Sequence, residues 1–248
     1  MAHRVMVSAS TQKENVGVGQ YGTEQDRMMF LADRVKYWLE TQKGQFNVIR
    51  NEKGMTLAQT VELCNNMACE LFIDNHSNAA DDTSTGGTED YYYGQGGTNT
   101  NSYKIAKLLY DRVAPISPGK DRGIMPDTTL YKSGLYVVQH TNPPACLIEH
   151  MFHTNPVEVI DMIEHADNYA KAEAMAICDY FGIQWIEANT SSGGIHVVVN
   201  GIDIDDKMDV KASMVNGRVV VPARFLAEAL GAEVSWNADT KTITVTKK

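Results

Sequence analysis

Leu71-Phe72-Ile73-Asp74-Asn75-His76-Ser77-Asn78 is the stretch that decides how this chain is read. Its first three residues form a short apolar run of the kind found in interior parallel strands. The polar residues that follow end the run abruptly and carry one imidazole. In open α/β sheets, chemistry gathers beyond the carboxyl ends of such strands. His76 therefore sits where a metal ligand would sit. Two other stretches end alike. Residues 4–7 are a short strand candidate broken by Ser8-Ala9-Ser10-Thr11-Gln12, and residues 145–148 are an apolar run stopped by Glu149-His150. Glu24 opens the first predicted helix. If the sheet is parallel at its centre, these groups converge on one rim.

The intervening segments predict α/β architecture, with a mixed, largely parallel central sheet flanked by helices. Thr23 reads as an N-cap, and Met28, Leu31, Ala32, Val35, Trp38 and Leu39 recur at helical spacing as a buried stripe. Residues 45–50 are a strand candidate. Thr56-Leu57-Ala58-Gln59 is a capping box that starts a second helix. Residues 89–93 are strand-like and aromatic, residues 101–113 helical, and residues 114–133 irregular, with the length of a substrate-facing loop. Residues 135–138 look like one more strand. Asn155-Pro156-Val157-Glu158 is a helix start, and Gly182 ends that helix after a break near His165. The Gly-rich loop 15–22 lacks the phosphate-loop pattern and reads as a rim loop.

Composition sets the outer limits. The chain has 248 residues and a formal net charge of −9. From Ile195 onward, seven basic residues balance seven acidic ones, so residues 1–194 carry the whole excess. An acidic surface argues against nucleic acid and against anionic membranes as partners. Cys64, Cys69, Cys146 and Cys178 have the pattern of buried, reduced thiols, and no CxxC is present. The start at Met1 leads straight into a strand. The expectation is a protein made in the cytoplasm without an export signal, acting after release.

Gly22-Thr23-Glu24, Asn75-His76-Ser77-Asn78 and Leu147-Ile148-Glu149-His150-Met151-Phe152 with Asn155-Pro156 occur in that order. Together they resemble the third family of zinc-dependent N-acetylmuramoyl-L-alanine amidases, of cell-wall hydrolases and phage endolysins, over residues 1–187. The resemblance implies a peptidoglycan hydrolase with Zn2+ as cofactor. Glu24 and His76 become metal ligands and Glu149 the catalytic carboxylate. An open zinc site activates water and polarises a carbonyl, and a nearby carboxylate moves the proton. The family supplies its first ligand as a histidine just after the first strand, and here residues 10–15 contain none. Glu14 is the substitute this stretch offers, with His140 and His150 behind it. The alternative is a missing ligand. A second carboxylate would lower the net charge at the metal.

Residues 188–194 are a linker by composition, and residues 195–248 read as a small β-rich α+β module. Gly217-Arg218-Val219-Val220-Val221-Pro222-Ala223-Arg224-Phe225 and Leu230-Gly231-Ala232-Glu233-Val234-Ser235-Trp236 resemble the module named after the copper amine oxidase N-terminal domain. With only His196 in this segment no copper is expected; wall attachment or self-association is. Two rival functions stay open: a zinc exopeptidase on another peptide, and a non-catalytic wall-binding protein with a degenerate site. Weighed singly, Glu24 is a charge favoured by a helix N-terminus, His150 is structural, His153 and His165 are surface residues, and Tyr91, Tyr92 and Tyr93 are strand packing.

Overall fold

A computed structural model describes residues 2–187, 195, 197–200, 202–204, 212–215, 218–238 and 240–247. It divides into two compact units, residues 1–186 and 187–248. The predicted linker 188–194, His196 and the first part of the strand expected over 208–215 lie outside the described residues.

The first unit is built on six strands: β1 (His3–Ala9), β2 (Phe46–Ile49), β3 (Leu71–Asn78), β4 (Thr88–Tyr92), β5 (Asp121–Pro126) and β6 (Ala145–Phe152). Their order is β2-β1-β3-β6-β4-β5, and every neighbouring pair is parallel except β4 with β6. The mixed, largely parallel sheet expected from the sequence is the sheet observed. On one side, helix α5 (Pro156–Phe181) packs against both α1 (Glu24–Glu40) and α3 (Asn101–Val113). On the other side, α2 (Leu57–Asn66) and α4 (Tyr136–His140) place Val61, Cys64, Val137 and Val138 against Met6, Phe72, Tyr91 and Leu147. Burying each large apolar side chain of such a core contributes about 1.5–3 kcal/mol.

Local signals explain the helix ends. Thr23 accepts from the Asp26 amide at 3.1 Å, and Thr56 with Gln59 closes the expected capping box. The α1 stripe read from the sequence is buried throughout. Asn155 caps α5 through Val157 N at 3.0 Å, with Pro156 in the first turn, and Gly182 ends the helix at φ +68°.

Three expectations change. The strands do not stop where their apolar runs stop. β3 continues through Asn78, because Asp74 pairs with Ser8 and Asn75 with Ala9 of β1, and His76 with Glu149 of β6. Residues 135–138 are not a strand; Tyr136–His140 is the short helix α4, whose two valines face the core. The irregular stretch 114–133 contains β5, an edge strand without an apolar run, where Gly123 and Pro126 are tolerated. All four cysteines are free and buried, as read.

The second unit pairs β7 (Val198–Val199) with β8 (Ile202–Asp203), β9 (Ser213–Val215) with β10 (Arg218–Val220), and β11 (Ala232–Asn237) with β12 (Thr242–Lys247), all antiparallel. Helix α6 (Ala223–Ala229) lies between β10 and β11 in the chain. Val197, Val199, Ile204 and Ala212 form its small core, with Val221 and Phe225 against them.

Candidate active site

Because successive side chains of a strand alternate between faces, Asp74 and His76 share one face of β3, and Asn75 and Ser77 the other. The β3–β6 register sets His76 directly beside Glu149, and the β6–β4 register sets Glu149 beside Glu89. An imidazole and two carboxylates thus stand in a row near the carboxyl ends of β3 and β6. Glu24 reaches the same point from the N-terminus of α1, where an acid is favoured by the helix dipole. Its Oε1 is 2.9 Å from His76 Nδ1 and 3.4 Å from the Ser77 amide.

His76 is buried and held from both sides. Its Nε2 lies 3.1 Å from Asp74 Oδ2, an acceptor, so Nε2 carries a proton and Nδ1 is directed at Glu24. Burial opposes a charge on this ring, but Asp74, Glu24 and Glu149 outweigh it and hold His76 well above its ordinary value. Glu24 is also desolvated, which raises it. Its bonds to His76, Asn15 and Ser10 win, and it stays below the usual carboxylate range. Glu149 is half-buried, and its Oε2 is enclosed without a hydrogen-bond partner. Desolvation pushes it up to about 8; His76 opposes this, and Glu24, Glu89 and Asp74 add to it. Glu89 is anchored by Arg122 Nε at 2.7 Å and by the Tyr91 hydroxyl at 3.0 Å.

The structure brings Glu24, His76 and Glu149 together. Glu14 is not among them. Its side chain is 87 % exposed and lies 3.8 Å from Lys13 Nζ. His140 caps the end of α4 with Nδ1 2.9 Å from Tyr136 O. His150 faces the opposite side of β6, where Nε2 is 2.6 Å from Asn75 Oδ1. Neither is a ligand in reserve. His153, expected at the surface, is buried, with its Nδ1 3.0 Å from Ser77 Oγ; the hydroxyl of buried Tyr21 reaches the same oxygen at 2.5 Å.

Among the described residues, no three His, Cys, Asp or Glu side chains are grouped to hold a metal. Two such donors, Glu24 and His76, do converge, and the third polar group beside them is an amide. Gln12 Nε2 lies 3.4 Å from His76 Nδ1. Two donor side chains therefore meet at one point, and an amide with its nitrogen toward the ring stands beside them. Gln12, Asp74, Asn78, Glu89 and Arg122 carry no distinguishing signal in the sequence except their neighbourhood to the strand ends.

A row of acids around one imidazole, at the carboxyl ends of a mixed α/β sheet, is the layout of a hydrolytic site. Residues 5–179 match the family model described as N-acetylmuramoyl-L-alanine amidase, and the chain belongs to that family. Residues 194–248 match the model described as copper amine oxidase N-terminal domain. The chain is 28 % identical over 184 residues to the germination-specific N-acetylmuramoyl-L-alanine amidase of Bacillus subtilis strain 168, covering 66 % of this chain and 73 % of that one. It is 28 % identical over 148 residues to the N-acetylmuramoyl-L-alanine amidase LytC of the same strain, covering 58 % of this chain and 28 % of that one. Among solved structures, the catalytic domain of CwlV, an N-acetylmuramoyl-L-alanine amidase from Bacillus (Paenibacillus) polymyxa var. colistinus, superposes with a TM-score of 0.64 at 22 % identity, covering 73 % of this chain and 99 % of that one. The N-acetylmuramoyl-L-alanine amidase of Clostridium difficile 630 does so with a TM-score of 0.64 at 22 % identity, covering 73 % and 97 %.

Proposed function

We propose that this chain is a zinc-dependent amidase that hydrolyses the amide between the lactyl group of N-acetylmuramic acid and L-alanine in bacterial peptidoglycan. The observation that carries this reading is the His76–Glu149 pairing on one sheet face, with Glu24 on His76 Nδ1. Family membership supports the amidase and its substrate. Glu24 and His76 would hold the metal, and the Asp74 carboxylate fixes the His76 ring so that Nδ1 faces it. Bound there, zinc would polarise the scissile carbonyl and make water a better nucleophile.

Glu149 moves the proton. It stands beside His76 and is half-buried, so the side chain could exchange a proton with the attacking water and with the departing amine. Arg122 holds Glu89 away from that task. The C-terminal module would attach the enzyme to the wall or to a second copy. An endolysin setting belongs to the same proposal and fails if uninfected cells make and secrete the protein.

The test is digestion of purified cell walls. New L-alanine N-termini should appear, and Glu149→Gln should slow their release by about 10²-fold or more while the circular dichroism spectrum stays unchanged. Undiminished turnover by that variant would refute the role of Glu149. The exposed position of Glu14 favours one second reading, a wall-binding protein that has lost its metal. That reading predicts wall binding without release of any amine.

A further inference from the structure

We propose that Gln12 supplies the third protein donor to the metal, through its amide oxygen, in the place where the family carries a histidine. The inference rests on the zinc reading above and concerns which side chain completes the set.

Backbone geometry brings Gln12 to the site. The chain leaves β1 at Ala9, and Ser10 still donates to Asn75 O at 2.9 Å. Ser10 Oγ then accepts from the Gln12 amide at 3.1 Å, and Lys13 N donates to Thr11 O at 3.1 Å, closing a tight turn over the end of β3. That turn sends the Gln12 side chain toward His76 and leaves Glu14 in solvent against Lys13. Asn15 ties the remainder together: its Nδ2 donates to Gln12 Oε1 at 2.7 Å and to Glu24 Oε2 at 2.7 Å.

Proton counting shows why the amide should turn. His76 Nε2 donates to Asp74. His76 Nδ1 then faces Glu24 Oε1 at 2.9 Å, which can only accept from it, and Gln12 Nε2 at 3.4 Å, which can only donate to it. One nitrogen cannot serve both. The oxygen and nitrogen of an amide differ little in shape, and which one faces His76 is decided by the network around it. With Gln12 Oε1 turned inward, Asn15 keeps its bond to Glu24 Oε2 and releases Gln12, and once an arriving cation displaces the His76 Nδ1 proton to solvent, three lone-pair atoms face one point. They are Gln12 Oε1, Glu24 Oε1 and His76 Nδ1, the donor arrangement of a cation site.

The substitution has chemical consequences. An amide oxygen is neutral, as imidazole is, so it leaves the charge at the metal where the family sets it. Glu14 would have added a negative charge. The amide is also a harder and weaker donor to zinc than imidazole. A set of one nitrogen and two oxygens holds zinc less tightly and discriminates less against manganese.

The experiment uses the full chain, loaded with Zn2+ and titrated against a chromophoric chelator, with metal content measured after dialysis. Gln12→Ala should weaken zinc binding at least about tenfold, Gln12→His should strengthen it at least about tenfold, and Glu14→Ala should leave it unchanged. Gln12 is solvent-exposed, so its removal does not open the core. In the Co2+-substituted protein, Gln12→His should shift the visible absorption bands as nitrogen replaces oxygen. If His76→Ala abolishes zinc binding while Gln12→Ala binds as the unaltered chain does, the zinc reading stands and the Gln12 assignment falls. If the unaltered chain binds no zinc and His76→Ala changes nothing, the zinc reading itself falls and takes the assignment with it.

Discussion

Glu173→Gln should make this protein more stable at neutral pH, by an amount that grows with pH. Glu173 lies on α5 beneath the sheet, fully buried. Asn75 Nδ2 donates to its Oε1 at 3.2 Å, while Oε2 has no hydrogen-bond partner and His150 Nε2 stands 3.8 Å away. Burial pushes the carboxyl from the ordinary 4.5 up to about 8, against the bond from Asn75 and the charge of Arg50. The folded protein therefore holds a proton here that the unfolded chain releases. Stability from this group is fully present below about pH 4.5 and is lost as pH rises toward about 8. The loss amounts to about 3 kcal/mol by pH 7 and about 5 kcal/mol in all. Glutamine has the shape of the protonated acid and does not titrate. Asp90, buried and itself raised by burial and by Glu173, relaxes in the same direction. Urea unfolding of both proteins between pH 4.5 and 8.5 measures the difference, the second unit being identical in each. A stability difference near zero at pH 4.5 that widens to about 3 kcal/mol at pH 7 is the expected result. A difference that stays flat with pH would refute the reasoning.

Gly17→Ala should cost about 1–3 kcal/mol by overpacking, because a Cβ there would stand 2.6 Å from Cγ of the buried Tyr21 ring. Thermal unfolding checks it, and an unchanged midpoint would count against the packing of the rim loop. Arg122→Ala should cost about 1–3 kcal/mol, since it leaves the buried Glu89 carboxylate without the guanidinium 2.7 Å away. Arg122→Lys should recover part of that loss in the same melt, because it restores the charge but not the fork geometry.

Much of this architecture is legible in the sequence. The apolar runs of β1, β3 and β6 mark the centre of the sheet, and the stripe from Met28 to Leu39 marks α1. Their polar tails mislead. Asp74-Asn75-His76-Ser77-Asn78 reads as the end of a strand, yet it stays extended because β1 and β6 pair with it on both sides. Tertiary pairing overrides a local composition that looks like a turn. Residues 135–138 err the other way. Their two valines suggest a strand, but here the core is reached by one short helical turn. His153 is buried because the chain folds back over Ser77, a contact between residues 76 positions apart that no local pattern announces. Glu24 stood out only through its place in the three-part motif, since alone it reads as a charge favoured by a helix N-terminus. The approach of Gln12 to His76 was not legible, since a glutamine in a polar turn has no signature beyond where the turn places it.

The two faces of β3 and β6 set two neighbouring histidines in opposite surroundings. His76 and Glu149 share a face with Asp74, Glu89 and the approach of Glu24, a concentration of negative charge that calls for a cation. His150, one residue beyond Glu149, turns to the opposite face. There it is fully buried and bonded to Asn75 Oδ1, and burial, then the charge of His76, pushes it down to about 3. It is uncharged at neutral pH. Asn75 links this ring to Glu173, itself held protonated at neutral pH, so the underside of the site is an uncharged hydrogen-bonded layer. A charge placed there would sit next to His76 across one thickness of sheet and act on the same acids. Keeping the lower layer neutral leaves the field of Asp74 and Glu24 to act on the upper face alone.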